Sequence, residues 1–287
     1  MSEQPLAYLD PKFLESTEAR PVRILAEYLE PLRRFKEQKI QDTVVFFGSA
    51  RVDSRQRALQ ALRTLRSRGV CDADDRYQAE LTKTRKAVEW ARFYEEARQL
   101  ARLLTEWSQT LPSENHRFVV TSGGGPGIME AANRGAHDAG GKTIGLNIRL
   151  PYEQGANKYI TDGLHFEFHY FFMRKFWFAY MATAMVIFPG GFGTCDELFE
   201  ILTLAQTDKL SKKMIVILYG SEYWDEVLSL RPMAEWGAIA DQDLDLLHHA
   251  DSPSQAFDYL RDHLVAHHLE PATQQETDAP GIAKTKG

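Results

Sequence analysis

The stretch Pro189-Gly-Gly-Phe-Gly-Thr-Cys-Asp-Glu197 gathers more potential chemistry than any other part of the chain. An apolar run, Val186 to Phe188, precedes it, and Leu198, Ile201, Leu202 and Ala205 follow at helical spacing. That pattern predicts a buried strand, a glycine turn and a helix beginning near Thr194. Gly190, Gly191 and Gly193 are expected to take positive φ and to let backbone approach a ligand. The free N–H groups of a new helix, with the Thr194 hydroxyl beside them, make an anion site. Asp196 and Glu197 fall in that first turn, where the dipole favours a carboxylate but a bound phosphate would be repelled. An acid one turn beyond a phosphate cradle therefore faces the next part of the ligand.

Two further turns carry the same composition. Ser122-Gly-Gly-Gly-Pro-Gly127 follows the apolar segment Arg117–Thr121, and Gly48-Ser49-Ala50 follows Thr43–Phe47. Glycine-rich turns at strand ends point to one ligand groove lined from both sides. Arg174 and Lys175 interrupt an aromatic helix (Phe171, Phe172, Phe176, Trp177, Phe178, Tyr180) whose rings suit a core or a subunit interface. Other signatures fail. Neither glycine cluster completes G-x-G-x-x-G. The P-loop-like string Ala136–Thr143 ends a helix and begins a strand, the inverse of a P-loop, and reads as an ordinary turn. His165/His169 and His263/His267 lack a third ligand for a metal. Cys195 at a helix N-terminus is expected to have a lowered pKa, but no partnered base is readable, so it reads as a packing residue.

These groups need a sheet to hold them. The chain has 287 residues, 44% hydrophobic and 26% charged, enough for one full core. A net charge of −6 argues against nucleic acid as a partner, and no apolar run is long enough to span a membrane. Two cysteines, Cys71 and Cys195, and no signal-peptide pattern fit a soluble, cytoplasmic protein. Expected strands are 43–47, 117–121, 142–148, 165–168, 186–188 and 214–219; expected helices are 21–39, 90–107, 128–139, 169–183, 223–230 and 254–267, besides the one after the glycine turn. The arginine-rich stretch 51–89 reads as one or two solvated, charged helices. The resulting fold class is α/β: a Rossmann-like, doubly wound parallel sheet with helices on both faces. Residues 1–42 form a helical extension, 43–268 the nucleotide-binding domain with a helical insertion at about 51–89, and 269–287 a disordered tail.

The motifs resemble those of one family. Pro189 to Glu197 fits the P-G-G-x-G-T-x-x-E signature of the Lonely Guy (LOG) family of cytokinin riboside 5′-monophosphate phosphoribohydrolases. Met173-Arg174-Lys175 resembles the family's R-K pair, Ser122–Met129 its G-G-G-x-x-G-(I/L)-M turn, and Phe47-Gly48-Ser49 its first-strand C-G-S. The resemblance covers roughly Thr43 to Gly220. It departs at the insertion and at Glu130, where the compact members usually carry glycine, as in a longer bacterial-type relative.

That resemblance implies hydrolysis of the N-glycosidic bond of AMP, or of an N6-modified AMP, to free base and ribose 5-phosphate. Glu197 and Arg174 would be catalytic, and Gly190, Gly191, Gly193 and Thr194 would hold the 5′-phosphate. Lys175, Gly124, Gly125, Ser49 and Glu153 would supply further substrate contacts. No cofactor or metal is implied, and a homo-oligomer, dimer or higher, is expected. A non-catalytic nucleotide sensor or carrier, and a nucleosidase with broad mononucleotide range, are the alternatives.

Overall fold

The computed structural model describes residues 5–68, 75–150, 155–210 and 212–269. Cys71, Glu153 and the tail from residue 270 lie outside the described residues. In chain order the elements are α1 (Pro11–Leu14), α2 (Arg20–Glu37), β1 (Thr43–Phe47), α3 (Arg55–Ser67), α4 (Asp75–Ser108) and β2 (Val119–Ser122). Then come α5 (Ile128–Asp138), β3 (Thr143–Ile148), β4 (His165–Phe168), α6 (Phe171–Met181), β5 (Ala182–Ile187) and α7 (Phe192–Gln206). The chain closes with β6 (Ile215–Tyr219), α8 (Ser221–Val227), α9 (Arg231–Glu235), β7 (Leu247–Ala250) and α10 (Pro253–Leu264).

All seven strands are parallel, in the order β4-β3-β2-β1-β5-β6-β7. β1 is apolar after its first residue because both of its faces are covered. Val45 and Phe47 point to a core shared with Phe35, Trp177, Leu198 and Ile201, from α2, α6 and α7. Val44 and Phe46 point to the opposite core, with Tyr94, Leu100, Ile128 and Leu260 from α4, α5 and α10. The sheet is thus wound on both faces, as the alternation of strands and helices requires. The N-terminal helix α2 is fixed to the first of these layers. Trp177 Nε1 donates to the Glu27 carbonyl at 2.9 Å, and Arg34 donates to the carbonyls of Gly163 and His165 at 3.1 and 2.8 Å.

Four expectations are corrected. The charged stretch ending at residue 89 and the helix expected from Trp90 are continuous, because α4 runs 34 residues without a glycine or proline to break it. The helix expected to reach residue 183 ends at Met181, and β5 begins at Ala182, four residues before the expected strand at 186–188. Pairing wins there: Thr183 Oγ1 donates to the Thr43 carbonyl at 3.0 Å, and β5 supplies β1 with its second neighbour. β7 was not expected, since Leu-His-His-Ala carries no apolar run; as the edge strand it needs none on its exposed side. α7 starts at Phe192, two residues before Thr194. Of the described residues, no helix is long and apolar enough to cross a membrane.

Candidate active site

β1 has β2 on one side and β5 on the other, so the connections leaving β1 and β5 depart to opposite faces and open a crevice at their carboxyl ends. Backbone bonds lace the two loops together beyond the strands. Phe188 N donates to Phe47 O at 2.8 Å, and Ser49 N to Pro189 O at 2.9 Å. α5 then seats its first amide on the β1 loop, with Ile128 N to Ser49 O at 3.1 Å. That approach demands Gly127: its φ is +72°, and a Cβ there would strike the Ser49 carbonyl. A cavity of about 760 Å³ lies in the crevice.

The second turn works differently from expectation. Gly190, Gly191 and Gly193 do not take positive φ; Gly191, the residue preceding α7, is extended at φ −94° and ψ −153°. Their value is space. A Cβ at Gly191 or Gly193 would meet nothing within 4 Å, whereas one at Gly190 would collide with the Thr194 side chain. The amides of Thr194 and Cys195 both donate to Gly191 O at 3.0 Å. The donors left over are those of Gly191, Phe192 and Gly193, which have no protein partner among the described residues. The anion cradle is therefore one residue earlier than the Thr194 amide, and it opens into the cavity.

One helical turn along α7, Glu197 is 4% exposed and faces Arg174 from α6. Arg174 Nη2 stands 3.2 Å from Glu197 Oε1. The Phe171 and Phe178 rings lie 5.4 and 5.6 Å from the guanidinium, a cation–π environment that fixes its plane. The Arg174 Nε is buried without a hydrogen-bond partner among the described residues. Burial pushes the Glu197 carboxyl up from 4.5 to about 7, against the downward pull of Arg174 and Lys175. Burial likewise draws the Arg174 guanidinium below its usual value, while Glu197 and Asp196 hold it up. The result is a carboxyl whose charge is balanced near neutral pH, with a cation orienting one of its oxygens.

Of the residues expected at the site, Ser49, Arg174, Gly190, Gly191, Gly193, Thr194 and Glu197 line the cavity. Lys175 does not; its ammonium is held by Asp196 at 2.8 Å and Glu200 at 3.0 Å. Nor do Gly124 and Gly125. Gly124 has φ +73° and sits against Asn147, and both carbonyls accept from Asn157 Nδ2, so this turn shapes the groove, while its neighbour Gly123 reaches it. Cys195 is corrected in sign: burial raises its thiol pKa. Lining residues that were missed include Arg51, Trp90 and Tyr223. Tyr223 donates its hydroxyl to Gly190 O at 2.8 Å, and Trp90 packs edge-on to the Tyr223 ring at 5.5 Å. A tryptophan among Lys86, Glu89 and Arg92 was the available signal, because an aromatic in a solvated helix needs something to cover it.

The chain resembles known proteins over the region that holds this site. Residues 129–260 match the family model described as "Possible lysine decarboxylase", a span that holds Arg174 and the whole turn to Glu197. The chain is 31% identical over 122 residues to "Cytokinin riboside 5′-monophosphate phosphoribohydrolase LOG" of Oryza sativa subsp. japonica, across 40% of this chain and 47% of that protein. It is 32% identical over 113 residues to the "Cytokinin riboside 5′-monophosphate phosphoribohydrolase" of Rhodococcoides fascians, across 39% of this chain and 56% of the relative. The chain thus spans about half the length of the curated relatives it matches. Among solved structures, the Moco carrier protein from Chlamydomonas reinhardtii aligns with a TM-score of 0.44 at 17% identity, over 79% of this chain and 99% of that one. The family model and the relatives thus agree in a resemblance to the phosphoribohydrolases of the Lonely Guy (LOG) family, over a little under half of the chain.

Proposed function

We propose that the protein hydrolyses the N-glycosidic bond of a nucleoside 5′-monophosphate, releasing the free base and ribose 5-phosphate. Glu197 carries this reading. It is the one carboxylate among the described residues lining the cavity, buried, paired to Arg174, and poised near neutral pH. The 5′-phosphate would accept from the amides of Gly191, Phe192 and Gly193. The sugar then falls one turn along α7, beside Glu197.

There the carboxylate takes a proton from water as the water oxygen bonds to C1′. The C1′–N bond breaks with its electron pair going to the base, and the proton follows to the departing base. While that bond is stretched, the carboxylate also stabilises positive charge on the sugar. A base or acid so placed contributes ~10²–10⁴-fold to the rate. Arg174 is positioned to hold Glu197 Oε1 and leave the other oxygen to water. The names of the relatives point to AMP bearing an N6 substituent, and AMP itself is the simplest member of that class.

The test is to incubate purified protein with AMP, GMP, CMP and N6-isopentenyl-AMP and to measure free base and ribose 5-phosphate. Release from at least one, lost in Glu197→Gln, is the expected result. Binding of all four without release of any base would leave a carrier in place of an enzyme.

A further inference from the structure

The cavity is large for a small-molecule site. At about 760 Å³ it stands toward the upper end of the ~300–1,000 Å³ typical of small-molecule sites. Its walls come from both layers of the fold. Arg174 and Glu197 belong to α6 and α7, on the layer that packs with Leu198 and Trp177. Trp90 belongs to α4, on the opposite layer. The glycine turn runs between them. A mononucleotide with its phosphate on that turn and C1′ at Glu197 occupies the α6–α7 side and leaves the α4 side open.

The open side is not neutral ground. Arg51 follows the β1 loop, and the segment behind it is tied to α4 by Arg55 N donating to Glu95 Oε1 at 3.0 Å. Nearby cations are neutralised: Lys175 by Asp196 and Glu200, Arg57 by Asp53 and Glu130, Arg92 by Glu222. The Arg51 guanidinium has no acidic partner among the described residues, and no carboxylate other than Glu197 lines the cavity to repel an anion. Beside it Trp90 is held edge-on by Tyr223 at 5.5 Å and by Phe93 at 6.3 Å, a fixed aromatic wall.

We propose that Arg51 and Trp90 form a second subsite for a group joined through the 5′-phosphate, so that the cleft takes dinucleotide pyrophosphates: Arg51 meets the β-phosphoryl and Trp90 stacks on the distal base. The stereochemistry follows from the first subsite. A phosphate held on the glycine turn with its ester oxygen toward the Glu197 side has other oxygens free to carry a further phosphoryl toward α4. Arginine pairing with a phosphoryl is a strong, charge-assisted contact, and an aromatic face accepts any base.

This rests on the mononucleotide reading, and the experiment separates the two. Titrate Glu197→Gln protein, in which no bond is cut, with AMP, ADP and diadenosine pyrophosphate by calorimetry. ADP is expected to bind about tenfold more tightly than AMP, and diadenosine pyrophosphate about tenfold more tightly again. Adding Arg51→Ala should erase the first gain. Adding Trp90→Ala should erase the second, Trp90→Phe should keep part of it, and the far-UV circular dichroism of all three should match the parent as the check on folding. If AMP binds and the longer ligands gain nothing, or if the variants weaken AMP as much as the others, the second subsite is refuted. If AMP itself does not bind, the mononucleotide reading and the subsite fall together.

Discussion

Replacing Glu197 by glutamine changes how the stability of the protein depends on pH, and the size of the change follows from its burial. The carboxyl moves from an ordinary 4.5 to about 7 on folding. At about 1.4 kcal/mol per pH unit that displacement is worth about 3 kcal/mol. The sign follows from the raised value. At about pH 4 the group is protonated in both states and costs nothing; as pH rises toward 7 the unfolded chain ionises first, and the folded state loses stability until both forms are charged.

Wild type should therefore lose about 3 kcal/mol relative to Glu197→Gln between about pH 4 and pH 8. The difference between the two proteins is the quantity to follow, because any fixed cost of pairing glutamine with Arg174 cancels. Urea denaturation followed by tryptophan fluorescence supplies it, with Trp177 and Trp224 buried as reporters. A difference that stays flat across the range, or runs the other way, would mean that the carboxyl is solvated or that its ion pair with Arg174 outweighs burial. The same group sets the expected kinetic limb: kcat/KM on AMP should climb with pH through about 7.

Arg174→Ala removes the cation from a buried carboxyl; it should cost about 3–5 kcal/mol at neutral pH and much less under acid conditions. A loss that does not vary with pH in urea melts would contradict the pairing. Gly193→Ala should leave the melting temperature unchanged while raising KM for AMP by about tenfold or more, since the added methyl meets only ligand space. Gly190→Ala should instead destabilise the fold by about 1–3 kcal/mol, because its methyl collides with Thr194; equal behaviour of the two variants in melts and kinetics would refute the distinction. Tyr223→Phe frees the Gly190 carbonyl and should raise KM about fivefold with kcat nearly unchanged, from ~1 kcal/mol for one neutral hydrogen bond. An unchanged KM would show that the turn holds its shape alone.

Reading the sequence located the glycine turn, the Arg174–Glu197 pair and the doubly wound sheet, because each is written in local terms. Val186 to Phe188 is an apolar run, and Gly191 and Gly193 stand beside a helical repeat. What was missed depends on contacts distant in sequence. β5 starts at Ala182 because Thr43 lies opposite, although Ala-Thr-Ala reads as a continuing helix. Positive φ belongs to Gly124 and Gly127, where the chain passes Asn147 and Ser49, and not to the turn whose glycines looked alike. Trp90 and Arg51 reach the crevice only because α4 is one rod and the β1 loop bends against it. Lys175 follows Arg174 directly but projects toward Asp196 and Glu200, since adjacent helical positions diverge by about 100°.

The central place of β1 has a consequence for biosynthesis. Its register partner on β5, Ala182 opposite Thr43, emerges from the ribosome only after 139 further residues. At ~5–20 residues per second that interval lasts roughly seven to thirty seconds, during which one edge of an apolar strand waits for its neighbour. A nascent chain halted before Ile187 can lay down β1 and β2 side by side, yet it has no crevice at all. The crevice is completed late in translation, when its second wall is delivered.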